Sequence, residues 1–218
     1  MVVFFIKNYN ETTNKMESKN QKKTMKKPIH IVLKLLVLLT IFTSCSSDDD
    51  NPESNTVAIP DTNFERALID ANIDTNGLNG NILKTDAEAV NYLDVSGKDI
   101  YSLQGIEAFI NITILFCINN ELTTLDVSNN PNLEEILCAN NRLTSFDVSA
   151  NPSVTILALD GNRLERLNIK NLNNIDPFYL NTLGNPNLNC IEVDDVNYSF
   201  NNWDFDVDSQ VSFNVNCN

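Results

Sequence analysis

Residues 112–174, cut after Asn132 and Ser153, fall into three segments of equal length, ITILFCINNELTTLDVSNNPN, LEEILCANNRLTSFDVSANPS and VTILALDGNRLERLNIKNLNN. The period is 21 residues. Cys117, Cys138 and Leu159 share one slot, Asn120, Asn141 and Asn162 a second, and Leu122, Leu143 and Leu164 a third. Leu115, Ile136 and Leu157 alternate with the Cys117 slot, which predicts one short strand per turn with those side chains inward. Neighbouring turns then pair as a parallel sheet. The asparagines stand where the chain leaves the strand, so their amides can satisfy backbone groups of the bend that no ladder reaches. Pro131 and Pro152 end the return segment by fixing φ and donating no hydrogen bond.

A period in the low twenties, with apolar residues at the first, fourth, sixth and eleventh positions and Asn at the ninth, is the leucine-rich repeat pattern. The expected fold is a leucine-rich repeat solenoid, a short parallel-β horseshoe or right-handed coil. It needs a cap at each end, because a terminal repeat otherwise leaves its core open to water. A degenerate first repeat sets Val90, Leu93, Val95 and Ile100 in the apolar slots and Leu103, Ile106 and Phe109 in the return. The stretches LDVSGKDIYSLQGIEAF and LTTLDVSNNPN resemble internalin-like bacterial leucine-rich repeat surface proteins, over about residues 59–217. That resemblance implies adhesion or protein–protein contact, a fold-level analogy.

The chain divides into six parts. Residues 1–24 are polar and read as an overextended start, with Met25 the expected true one. Residues 25–44 open with Lys26 and Lys27 after Met25, followed by an apolar run from Leu35 to Phe42 and small residues, the order of a secretory signal. Phe42-Thr43-Ser44-Cys45 resembles a bacterial lipobox, which implies lipidation of Cys45 and attachment to a membrane through that lipid. Residues 45–56 form an acidic tether. Its Ser46-Ser47-Asp48-Asp49-Asp50 resembles the signal that sends lipoproteins to the outer face of a Gram-negative outer membrane, so the cell exterior is the expected location. Residues 57–89 are the helical N-terminal cap, 90–183 the repeats and 184–218 the C-terminal cap.

In the N-terminal cap a helix is predicted over 61–71, and a second short one started by Thr85 or Asp86. Between them, a calcium-loop frame beginning at Asn72 puts Leu83 where a bidentate glutamate is needed, so a structural turn is expected. Past Asn174 the strict period places Tyr179 in the slot of Phe116 and Leu137, and Leu183 in the asparagine slot. Asp204, Asp206 and Asp208 alternate with Phe205 and Val207, which reads as a half-buried strand rather than a metal site. In an exported protein Cys190 and Cys217 are expected to pair and staple this cap. Cys117 and Cys138, one turn apart, are expected to be reduced core thiols, although adjacent turns are close enough for a bond.

Charge and residue types narrow function. From Ser46 onward there are 7 basic and 27 acidic residues. Such a chain repels phosphate backbones, which argues against nucleic-acid binding. The one histidine, His30, lies in the signal segment, so no imidazole serves catalysis or zinc in the repeats. No Gly-rich phosphate loop appears; no enzyme, metal or cofactor is expected. What remains is the outward side of the strands. Its central slot reads Asp94, Phe116, Leu137, Ala158 and Tyr179, flanked by Tyr92, Ile114, Glu135 and Ile156 on one side and Ile118, Ala139 and Asp160 on the other. Strand residues that meet only water should be polar, and these are too apolar for that. The strip, edged by Glu134, Glu135 and Asp160, is the expected surface for a protein or glycan partner. The alternative role is a structural or assembly subunit of an outer-membrane envelope complex.

Overall fold

The repeat pattern becomes two parallel sheets wrapped around one apolar core. The computed structural model describes residues 55–170, 179–203 and 206–217; the signal segment, Cys45 and the acidic tether lie outside these. The chain enters through β1 (Thr56–Ala58), α1 (Thr62–Asp70), β2 (Asn81–Leu83) and α2 (Lys84–Glu88), with β1 antiparallel to β2. The first repeat sheet has five parallel strands in the order β3 (Tyr92–Asp94), β4 (Ile114–Phe116), β5 (Glu135–Leu137), β7 (Ile156–Ala158) and β9 (Tyr179–Asn181). The second has four, in the order β6 (Ser145–Asp147), β8 (Arg166–Asn168), β10 (Cys190–Glu192) and β11 (Ser212–Asn214). The fold is therefore the expected leucine-rich repeat solenoid, with a second sheet that the repeat reading did not anticipate. A helix α3 (Val196–Trp203) follows β10.

Alternation explains both sheets. Leu93, Leu115, Ile136, Leu157 and Leu180 point inward from the first sheet, and Phe146, Leu167 and Ile191 from the second; all are buried. Burying each such side chain contributes about 1.5–3 kcal/mol. The bend between the sheets is held by the asparagine ladder. The Asn120 Oδ1 accepts the Lys98 and Ile100 amides at 3.1 Å each, and its Nδ2 donates to the Val95 and Cys117 carbonyls. Asn141 and Asn162 repeat this, accepting from Leu122 and Leu143 at 3.0 Å and donating one turn back.

The ladder continues past Asn174, contrary to the strict-period reading. β9 pairs with β7 through Ile156↔Tyr179, so this turn is 23 residues long by register rather than 21. Everything downstream shifts by two. Asn185, not Leu183, takes the fourth ladder position: its Oδ1 accepts the Leu164 amide at 3.0 Å and its Nδ2 donates to the Leu159 and Thr182 carbonyls. The residue just before each ladder asparagine has positive φ in the repeats, at Asn119, Asn140, Gly161 and Gly184. At Gly161 a Cβ would come 2.4 Å from the Asn140 side-chain oxygen, so close stacking of turns as well as backbone conformation demands glycine. A second asparagine column holds the return: Asn130 Nδ2 donates to the Ile106 and Phe109 carbonyls, and Asn151 Nδ2 to those of Val127 and Asn130.

Both ends are closed. Asp61 caps α1 by accepting the Asn63 and Phe64 amides, while its other oxygen accepts those of Tyr101 and Ser102, which fastens the cap to the first repeat. The second helix starts earlier than predicted, with Leu83 at its N-cap and no side-chain cap bond. Asp86 is instead engaged by Thr75, whose amide and hydroxyl donate to it. At the other end the Asp195 carboxylate caps α3, and Trp203 is buried edge-on to Tyr198 and near Phe213. Of the strand expected over 204–208, residues 204–205 lie outside the described part, and Asp206–Asp208 is irregular. Its groups still serve the fold, since the Asp206 carbonyl accepts the Thr182 amide and the Asp208 carboxylate those of Gly184 and Asn185.

Cys190 and Cys217 are bonded as expected. Cys117 and Cys138 are bonded too, which corrects their reading as free thiols. In-register parallel pairing sets equivalent slots side by side, with Cα atoms 4.9 Å apart and both side chains inward. That spacing lies within the range a disulfide requires.

Candidate functional site

The outward side of the five-stranded sheet is a grid of three rows set by strand register. Tyr92, Ile114, Glu135, Ile156 and Tyr179 form the first row, and Asp94, Phe116, Leu137, Ala158 and Asn181 the second. The pairing runs beyond the strands: the Gly97, Asn119, Asn140 and Gly161 amides donate to the carbonyls of Ile118, Ala139, Asp160 and Leu183 at 2.8–3.0 Å. These bonds align Ile118, Ala139, Asp160 and Leu183 as a third row. The grid brings together all nine face residues read from the sequence: Tyr92, Ile114, Phe116, Ile118, Glu135, Leu137, Ile156, Asp160 and Tyr179.

One of them moves within the grid. Tyr179 sits beside Ile156 in the first row, not beyond Leu137 in the second, because of the two extra residues in that turn. Asn181 and Leu183 are the members that the strict period missed. Their signal was present in the sequence, since counting 23 rather than 21 restores both Asn185 and the inward Leu180.

Most of the grid is half-buried by its own neighbours. Tyr92 and Leu183, at opposite ends, are the more open, at 45% and 42% exposure. Tyr92 packs edge-on against Phe116, with ring centres 5.6 Å apart. Between them lie Ile114, Ile118, Leu137, Ala139, Ile156 and Ala158. The charged members are all acidic: Asp94, Glu135 and Asp160. Burial pushes the Asp160 carboxyl above its usual range. The Tyr179 phenol is also raised, first by burial and then by the negative charges of Asp206 and Asp160. These groups thus share one corner of the face, where a cation brought by a partner would be favoured.

The outward side of the four-stranded sheet offers a control. It shows Ser145, Asp147, Arg166, Asn168, Cys190, Glu192, Ser212 and Asn214. Except for Cys190, which is bonded to Cys217, all are polar.

No family model matches the chain, and no curated protein matches it. Solved structures of similar chain path come from Listeria monocytogenes. The functional domain of InlJ, described as including a cysteine ladder, is 22% identical over 63% of this chain and 38% of its own, with a TM-score of 0.39. An internalin (inlF) is 17% identical over 72% of this chain and 56% of its own, with a TM-score of 0.45. Internalin C2 is 15% identical over 67% of this chain and 83% of its own, also with a TM-score of 0.45. The chain thus spans well under two thirds of the length of the first two.

Proposed function

We propose that this protein is a non-enzymatic, lipid-anchored binding protein of the cell surface, which holds a protein partner on the outward face of its five-stranded sheet. The observation that carries this reading is the contrast between the two outward faces. One solenoid, with apolar residues on the inward side of both sheets, keeps one outward face polar and the other apolar. A water-facing role accounts for the first and not for the second. Aliphatic side chains at Ile114, Ile118, Leu137 and Ile156, rimmed by acid, suit a protein with apolar and basic side chains better than a sugar.

The cysteines support export. Four of the five are paired in two disulfides, which belong to an oxidising compartment. The fifth is Cys45, the residue that the lipobox would lipidate.

Photo-cross-linking on intact cells tests the face. A cross-linker at Leu137 should capture a discrete partner, and the same group at Ser145 on the second sheet should capture none. Equal capture from both positions, or none from Leu137, rejects the binding face. A partner that is itself an envelope protein would favour the assembly role instead. Lipid labelling that survives Cys45→Ser would reject the anchor, and resistance of the protein on whole cells to a protease that cleaves it when purified would reject the surface location.

A further inference from the structure

The second sheet begins only at β6. By register with the first sheet, Thr124-Leu125-Asp126 and Ser102-Leu103-Gln104 are the counterparts of β6 in the two preceding turns, yet neither forms a strand. Between these two segments the surface opens into a cleft of about 300 Å³. Its walls are held in place. A Cβ on Gly105, whose φ is 103°, would come 2.7 Å from the Ala58 carbonyl oxygen, so this glycine lets the first return lie against the N-terminal cap. From the next turn Asn130 Nδ2 donates to the Ile106 and Phe109 carbonyls.

The lining is divided by polarity. Leu103 and Ile106, both buried, and half-buried Leu125 give the cleft an apolar floor. Ser102, Gln104, Glu107, Thr124 and Asp126 give it a polar rim. Three of these side chains spend an oxygen on the fold: Ser102 Oγ accepts the Gln104 backbone amide, Glu107 Oε2 that of Gly105, and Asp126 Oδ1 that of Ser128. The side-chain amide of Gln104 and the Thr124 hydroxyl are bonded to no described residue.

These groups select by charge and by shape. The ionisable ones are both acids, and no Lys or Arg lines the cleft. The Ser128 amide, then its hydroxyl, hold the Asp126 carboxyl below its usual range, so it is ionised at neutral pH. Phosphates, carboxylates and acidic sugars are therefore repelled. A bare cation would use the carboxylates alone, and among the described residues no three Asp, Glu, His or Cys side chains gather to hold a metal. A pyranose uses everything present: its CH face covers the apolar floor, and its hydroxyls donate to the carboxylates and exchange hydrogen bonds with the amide and hydroxyl groups. The volume is at the small end of the range for ligand pockets, about 300–1,000 Å³, which suits one or two rings.

We propose that this cleft binds a neutral sugar, one or two pyranose rings of a glycan, with a ring face on Leu103, Ile106 and Leu125 and the hydroxyls bonded by Gln104, Glu107, Thr124 and Asp126. The site belongs to the return side of the first two turns. It is separate from the outward face of the five-stranded sheet and does not rest on that face holding a protein.

Saturation-transfer NMR of the full-length protein tests this, with the methyl pyranosides of glucose, galactose and mannose as probes and glucuronate as their acidic counterpart. At least one neutral probe should receive saturation, most strongly at the CH protons of one ring face, and glucuronate should receive little. Gln104→Ala and Thr124→Val, which change exposed side chains, should each weaken the affinity for that probe about fivefold and leave Tm unchanged. Ser145→Ala, on the second sheet, should bind as wild type does. No saturation of any neutral probe, equal saturation of glucuronate, or unchanged affinity in either Gln104→Ala or Thr124→Val overturns the site. So does a loss of binding in Ser145→Ala.

Discussion

Two parallel sheets enclose one core, and seen from inside they are nearly interchangeable. Leu115, Ile136 and Leu157 fill one wall, and Phe146, Leu167 and Ile191 the other. From outside they differ. The five-stranded sheet presents Ile114, Phe116, Ile118, Leu137 and Ile156, while the four-stranded sheet presents Ser145, Asp147, Arg166, Asn168 and Glu192. Folding demands the inward residues and leaves the outward ones free, so a departure from polarity on one outward face needs a cause outside the core. The repeated Leu and Asn positions explain stability. The contrast between faces is what points to a partner.

The comparison is broken most directly from inside. Leu157→Ala beneath the first sheet and Leu167→Ala beneath the second should each cost about 2–5 kcal/mol, because each leaves a cavity in the shared core. Urea denaturation that finds one of them near zero would show that the two walls are not equivalent. Next comes the disulfide that only the first wall contains. Replacing both Cys117 and Cys138 by Ala should cost about 3 kcal/mol for a loop of this length in the chain-entropy model. Burial separates this bond from its counterpart. Cys117 and Cys138 are fully buried, whereas Cys190 and Cys217 are partly open, so mild reductant applied to the folded protein should reduce the second pair first. Mass spectrometry after alkylation reads that order.

A smaller effect tests the bend that joins the walls. Asn141→Ala should cost about 1–3 kcal/mol, since the Leu122 amide and the Cys117 and Cys138 carbonyls lose a buried partner together. Asn185→Ala should cost a similar amount. If it is silent while Asn141→Ala is not, the 23-residue turn is not the continuation that its register indicates.

How much of this was legible follows from the same division. The first sheet as far as β7 and its asparagine ladder as far as Asn162 are written in side-chain types at fixed spacing, and a spacing argument recovers them. The second sheet was also written, as Phe146-Asp147-Val148 and Leu167-Asn168-Ile169, but its strands hide within the return of each repeat. The two-residue lengthening before Tyr179 was lost because counting assumes a constant turn. The Cys117–Cys138 bond escaped because a small buried hydrophobe and half a disulfide look alike until register brings the two slots together.

The faintest test sets one aspartate of each side against the other. Asp160 lies on the apolar face, where burial raises its pKa in the folded state above the ordinary aspartate value. The folded protein then binds its proton more readily than the unfolded chain, so stability falls as pH rises through the window between the two values. Asp126 lies in the column that continues toward the second sheet, where the Ser128 amide and hydroxyl lower its pKa. Its contribution is present above the ordinary value and is lost as pH falls through the lower folded one. Asp160→Asn should therefore stabilise the protein at neutral pH, with the gain vanishing in acid, while Asp126→Asn should destabilise it at neutral pH and converge on wild type in acid. Both are largely or half open to solvent, so the shifts are small and should be read as the sign of the difference between melting curves across pH. Two differences of the same sign would mean that the faces do not impose opposite environments on a carboxylate. A bound partner sharpens the contrast further: one that brings a cation to the apolar face should lower the Asp160 value and leave Asp126 as it was.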